Sequence, residues 1–217
     1  MRNLISHFID CNCEETSVPG GGPAEGGANA ARWDEDIQRA FYNGWKSIHG
    51  LKHQTVDNAY GFCEDIYGPV TLRDNDLTLL RLSRVNMRFA EILEGQDDQY
   101  CIFGDSAYMR LSNLETYYTR ASSDMMPYFV EWNKSMKHVR ISIEWSYMVT
   151  GSLFKYVNRP EKLKILGSKR VSKIYTVGTL FRNFHCCLYG NQTSCYFRLV
   201  MPEGMLEKYI NQIDFES

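Results

Sequence analysis

No run of about 18 apolar residues occurs anywhere in the 217-residue chain, so nothing in it reads as a membrane-spanning helix. A secretory leader is missing too: Met1 to Asp10 is too short and too polar to serve as one. The chain is therefore expected to be neither secreted nor membrane-bound. A strong charge of either sign is also lacking. The net charge is -2, which favours no class of partner by itself. Cysteines are present but form no framework: there are seven, an odd number, and Cys186 and Cys187 are adjacent. That usage points to a reducing compartment. Asn133-Lys134-Ser135 and Asn191-Gln192-Thr193 match the glycosylation pattern, and without a leader they read as chance. Val18 to Gly27 is rich in glycine and proline but lacks the Gly-Lys-Ser/Thr ending of a phosphate-cradling loop, so it reads as a plain loop. No internal repeat is found.

What is present is a core-forming chain, 44% hydrophobic, long enough for one domain without staples. The pattern predicts an α/β domain over residues 1–200, with a loop insertion at 14–38 and a tail or short helix over 201–217. Leu4 to Ile9 reads as a buried strand that ends in Asp10. Trp33 to Tyr42 is expected to hold a helical turn. Ile48 to Asp57 and Phe62 to Val70 read as a hairpin, closed at Gly68-Pro69. Asp74-Asn75-Asp76 has cap-type residues before one apolar-periodic helix that runs to Gly95. Tyr100 to Phe103 is a short strand that delivers Asp105 at its tip, where α/β sheets place ligands. Leu111 to Met126 reads as irregular. A long helix follows from Tyr128 to Val157, stopped by Arg159-Pro160. One stripe of it is Met136, Val139, Ile143, Tyr147 and Thr150, and an adjacent stripe is Lys137, Arg140, Glu144 and Met148. Helices are also expected over Ser168 to Leu188 and Pro202 to Ile213.

Four acids stand at informative places in this pattern: Asp10 and Asp105 at strand ends, Asp76 at a helix start, and Glu144 within an otherwise apolar helix. Carboxylates are seldom enclosed without a partner or a metal. Phosphodiester cleavage needs the attacking and leaving oxygens stabilised together, which two divalent ions held by carboxylates achieve. Mg²⁺ takes oxygen ligands and keeps waters, so three or four carboxylates suffice. The alternative is ordinary: Asp76 as a capping residue, and Glu144 paired one turn away with Arg140. Spacing alone leaves both open.

The chain resembles the nuclease domain of Harbinger/PIF-type transposases, which are DDE superfamily endonucleases with a ribonuclease-H-like fold. The resemblance is carried by Phe8-Ile9-Asp10, Tyr42 to Lys52, Tyr67-Gly68-Pro69-Val70 through Asp76, Gly104-Asp105-Ser106-Ala107-Tyr108, and Val139 to Trp145 with Leu153-Phe154-Lys155. It implies a mixed sheet of about five strands flanked by helices. It implies Asp10, Asp105 and Glu144 as catalytic residues, with Asp76 joining them as ligands of Mg²⁺ or Mn²⁺, two ions in all. It further implies DNA cleavage and strand transfer, a Myb-like partner protein for DNA recognition, a homodimer, and a place in the nucleus. The family's first motif is usually Asp-Gly-Thr, whereas this chain has Asp10-Cys11-Asn12. No helical DNA-binding segment precedes Met1, which reads as a truncated or host-adopted copy. A catalytically silent binding module derived from a transposase is the alternative function.

Other side chains supply secondary expectations. From Lys155 to Lys173, seven basic residues stand against the single acid Glu161. Lys155, Lys162, Lys164, Lys169 and Arg170, with Lys52 and Arg140, are the expected phosphate contacts, against the plainer reading of a solvated charged face. His49 and His53 are expected at an ordinary surface. Cys11, Cys13, His185, Cys186, Cys187 and Cys195 lack the paired spacing of a zinc site, and the cysteines among them read as free buried thiols.

Overall fold

The structure, a computed structural model, describes residues 4–15, 39–44, 47–94, 100–119, 126–157 and 171–212. Its centre is a six-stranded mixed sheet. The strands are β1 (Leu4–Glu15), β2 (Tyr42–Asn43), β3 (Ile48–Asn58), β4 (Cys63–Thr71), β5 (Tyr100–Gly104) and β6 (Leu114–Glu115). β3 lies antiparallel to β1, and β4 antiparallel to β3. β5 lies parallel to the other edge of β1, and β6 parallel to β5. β2 pairs with the start of β3. The order β4-β3-β1-β5-β6, with the first three strands antiparallel and the last two parallel to β1, is a ribonuclease-H-like arrangement.

The helices are α1 (Asp76–Ser83), α2 (Val85–Leu93), α3 (Pro127–Leu153), α4 (Val171–Tyr189), α5 (Gln192–Tyr196) and α6 (Met205–Gln212). Strand alternation assigns them to two faces. Ile9, Val56, Ile102 and Leu114 meet Leu80, Val85 and Phe89 of α1 and α2 in one apolar cluster. Phe8 and Phe103 meet Met136 and Ile143 of α3 on the other face, with Val139 and Tyr147 beside them. The stripe expected to face inward on the long helix does so, and the stripe holding Lys137, Glu144 and Met148 is exposed.

Several boundaries differ from expectation. β1 does not stop at Asp10; it continues to Glu15 because Asp10 to Glu15 pair with Thr55 to Gly50 of β3. Two residues of the proposed insertion, Glu14 and Glu15, thus belong to the sheet, and the glycine-rich stretch lies outside the described residues. β4 runs through Gly68-Pro69 to Thr71, absorbing the proline in a register shift opposite His53. The helix after Asn75 is two helices. Arg84 adopts a left-handed conformation (φ 52°) between them, while its N–H still bonds the Leu80 carbonyl. Gly95 is outside the described residues. β6 and α5 were not expected, being two and five residues long. α3 ends at Leu153, before Arg159-Pro160, which also lie outside the described residues.

Asn75 caps α1 as expected, its Oδ1 accepting from the Thr78 N–H at 2.8 Å. The remaining glue is polar. Asp57 of β3 meets Arg182 of α4 at 3.1 Å, and both are almost fully buried. Ser146 of α3 and Cys63 of β4 also bond Asp57. Burial raises the Asp57 carboxyl above its ordinary range, while the Arg182 charge opposes that rise. His53 is fully buried and stacks on Tyr175 at 4.8 Å, which corrects its expected surface role. Alternation explains the error: His53, Thr55 and Asp57 share the face covered by α3 and α4.

Candidate metal and nucleic-acid site

Asp10 and Asp105 are brought together by register. Ile9 pairs with Gly104 across the parallel β1–β5 edge, and β5 ends there. The next residue on each chain is an aspartate. Phe8 and Phe103 face α3, so two residues on, by strand alternation, Asp10 is directed to the same side, and Asp105 leaves the tip of β5 beside it. Close passage of the two strands needs a residue without a side chain at Gly104: a Cβ there would stand 2.9 Å from Tyr108 and 3.0 Å from Ile9.

α3 completes the group. Arg140 Nη1 donates to Asp10 Oδ2 at 2.6 Å, and Nη2 donates to Glu144 Oε1 at 2.9 Å. Asp105 also acts on Arg140 electrostatically, and Tyr117 shares a hydrogen bond with it. Burial lowers the affinity of the Arg140 guanidinium for its proton, but Asp10, Asp105 and Glu144 outweigh that and hold it firmly charged. Burial and the two nearby acids raise the Tyr117 phenol above its usual range, although Arg140 opposes them. Asp105 is tied locally as well, accepting from the backbone N–H and, at 3.0 Å, the hydroxyl of Ser106. Two carboxylates, from a strand and a helix, thus bond one cation, and a third at a strand tip acts on it electrostatically.

Of the two readings of Glu144, the ordinary one, pairing with Arg140, is what the structure shows. Glu144 pairs with Arg140 one turn earlier and stays half-exposed, at 54%. Through Arg140 it also belongs to the cluster with Asp10. The donors are the hard oxygens that Mg²⁺ or Mn²⁺ accepts. Among the described residues, no three His, Cys, Asp or Glu side chains are close enough to hold one ion as they stand. The donor set fits such an ion in kind, and the guanidinium sets its present spacing.

Asp76 is elsewhere. Its Oδ1 accepts from Lys52 Nζ at 2.8 Å, and the same ammonium donates to the Asp74 carbonyl at 2.8 Å. Lys52 lies three residues from Thr55, which faces Asp10 in the β1–β3 register, so the two differ in parity and point to opposite faces. Lys52 was expected on phosphate; it is buried and joins β3 to the start of α1. Arg140 was expected on phosphate too, and it is engaged by acids. Lys155 is exposed just past α3. Lys162, Lys164, Lys169 and Arg170 lie outside the described residues. Cys63, Cys101, Cys186, Cys187 and Cys195 are free thiols. Among the described residues, no helix is long and apolar enough to cross a membrane.

Sequence reasoning missed Tyr117, and of Arg140 it foresaw the pairing with Glu144 but not the one with Asp10. Tyr117 follows β6, a strand too short for periodicity to reveal. Arg140 was noted for its charge, but its bridging role depends on a contact 130 residues away. Residues 30–183 match the family described as DDE superfamily endonuclease, a span that holds Asp76, Asp105, Arg140 and Glu144 and begins after Asp10. No curated protein and no solved structure matches the chain.

Proposed function

Since the chain belongs to the DDE superfamily endonucleases, we propose that it cleaves DNA strands with divalent metal ions held by Asp10, Asp105 and Glu144. The observation that supports this is the convergence of those three carboxylates on one cation, Arg140. Bound ions would supply Lewis-acid activation of the attacking water and neutralise the leaving oxygen. The protein's own part is placement. Asp10 lies in β1 and Asp105 directly follows the end of the neighbouring β5, so the Ile9–Gly104 pairing next to both holds their backbones in a defined relation. Glu144 enters from an exposed helix face and can adjust. Asp76 is left out of this ligand set because Lys52 holds it on the other face.

Within that family we propose the Harbinger/PIF transposase subtype, which the motifs resemble and which carries with it strand transfer, a Myb-like DNA-binding partner, a homodimer and a nuclear location. Mg²⁺ or Mn²⁺, in a pair, is the corresponding cofactor. The test is cleavage of supercoiled plasmid DNA by the purified chain in Mg²⁺ or Mn²⁺, beside Glu144→Gln. Nicking by the wild type and not by the variant is expected; equal nicking by both would remove Glu144 from the site.

A second reading is a catalytically silent DNA- or protein-binding module that keeps the fold. The observations that favour it are the Asp10-Cys11-Asn12 motif and the guanidinium standing among the acids. Titration calorimetry with Mn²⁺ separates the two: binding that disappears in Asp10→Ala/Asp105→Ala supports the nuclease, and a wild type that takes up no Mn²⁺ supports the silent module.

A further inference from the structure

We infer that Arg140 is a built-in counter-ion of the carboxylate cluster and that a metal ion entering the cluster must displace it. The inference rests on the proposed metal site and goes beyond it by assigning a competing ligand within the chain. Three observations carry it. Arg140 bridges two of the three carboxylates directly, at 2.6 and 2.9 Å, with one nitrogen for each. It comes from the same helix as Glu144, one turn away, so its position and that of Glu144 are set together. Its side chain is only partly enclosed, 20% exposed, which leaves a way out toward solvent.

The physical argument is one of exclusion. Asp10, Asp105 and Glu144 repel one another strongly when brought together without a cation. A guanidinium relieves that repulsion and, being planar with several donors, holds two carboxylates in a defined relation. It also keeps them apart by its own width. A divalent ion needs oxygens at about 2.0–2.1 Å from its centre, and no three of the described carboxylates meet around such a point now. Metal and Arg140 therefore compete for the same oxygens. Tyr117, which bonds Arg140 from the end of β6, is placed to steady the guanidinium in its present position. Arg140 is in this sense a positioning residue: it holds Asp10 and Glu144 together at the cost of metal affinity.

The full-length chain is compared with Arg140→Gln and Arg140→Lys by titration calorimetry with MnCl₂ alone and by thermal unfolding with and without Mn²⁺. Competition predicts that Arg140→Gln is less stable without metal, binds Mn²⁺ about tenfold tighter, and gains more in Tm from Mn²⁺ than the wild type. Arg140→Lys retains a cation of shorter reach and falls between. Equal or weaker Mn²⁺ binding by Arg140→Gln overturns the inference while leaving the metal site standing. Absence of Mn²⁺ binding in all three overturns the metal site and the inference with it. A second measurement needs no variant to fold. In the wild-type chain, the Nε–H resonance of Arg140 is followed by NMR during Mg²⁺ titration. A saturable shift with the calorimetric midpoint is expected, and a resonance that stays put while Mg²⁺ binds overturns the displacement.

Discussion

Gly104 stands directly beside Ile9 across the parallel β1–β5 pair, and the Cγ2 atom of Ile9 lies 3.0 Å from where a Gly104 Cβ would be. Tyr108 closes the same space at 2.9 Å. Gly104→Ala is therefore expected to overpack the base of the carboxylate cluster and to destabilise the fold by about 1–3 kcal/mol. Since Asp105 follows directly, the variant should lose more Mn²⁺ affinity than an equally destabilising change far from the site. Urea unfolding and calorimetry on the same sample check both effects. A variant with normal stability would show that the strands can part more easily than the packing implies.

The Asp57–Arg182 pair is the structural pin between β3 and α4. Removing one charge leaves the other enclosed, so Arg182→Met is expected to cost about 3–5 kcal/mol. The double change Asp57→Asn/Arg182→Met should recover part of that loss, because it removes both buried charges. Chemical denaturation of the two single variants and the double variant measures the coupling. A loss below about 1 kcal/mol in Arg182→Met would mean that water reaches the pair.

His53 gives the fold a pH dependence of definite sign. Burial lowers its imidazole from the usual 6.5 to about 4. Between those values the unfolded chain binds a proton that the folded chain refuses. Stability is therefore complete above about pH 7 and falls as pH drops toward 4, by at most about 3 kcal/mol. Urea midpoints at pH 7, 6 and 5 should decline in the wild type, and the decline should be smaller in His53→Gln. A slope unchanged by the substitution would place the titration on the carboxylates instead.

Lys52 and Lys155 are expected to separate in their response to salt. Lys52 is inside, on Asp74 and Asp76; Lys155 is exposed. Lys52→Met should lower thermal stability and leave the salt slope of DNA binding unchanged. Lys155→Gln should leave stability unchanged and reduce that slope by about one. Fluorescence anisotropy on a labelled duplex over a salt series decides. The reverse pattern would return Lys52 to the DNA surface.

The strands and helices around the site were legible because they carry strong periods: Tyr100 to Phe103, Ile48 to Asp57 and the stripe Met136 to Thr150 each show one apolar face. Asp10, Asp105 and Glu144 could be nominated for the same reason, since each interrupts or ends an apolar run. Their convergence was not legible from spacing. It follows from the Ile9–Gly104 register and from the parity that sends Phe8 and Phe103 to α3, and both are properties of strand pairing. The pairing of Asp76 with Lys52 was not legible because a place at a helix start says nothing about which face of the sheet its helix covers. Lys52 and His53 were read as surface residues because β3 is covered on both faces, so its buried polar groups do not break the pattern. The break at Arg84 had no glycine or proline to announce it.

The contact between Asp10 and Arg140 closes a loop of 130 residues. Closure of so long a segment is entropically costly, yet each further doubling of length adds only about 0.6 kcal/mol. The consequence is kinetic rather than energetic. Contacts so distant in sequence form after the local hairpin of β3 and β4, once β5 has aligned with β1 and α3 has docked. The carboxylate cluster is thus expected at the end of folding, and a chain halted earlier would carry most of its secondary structure without the Asp10–Arg140 contact.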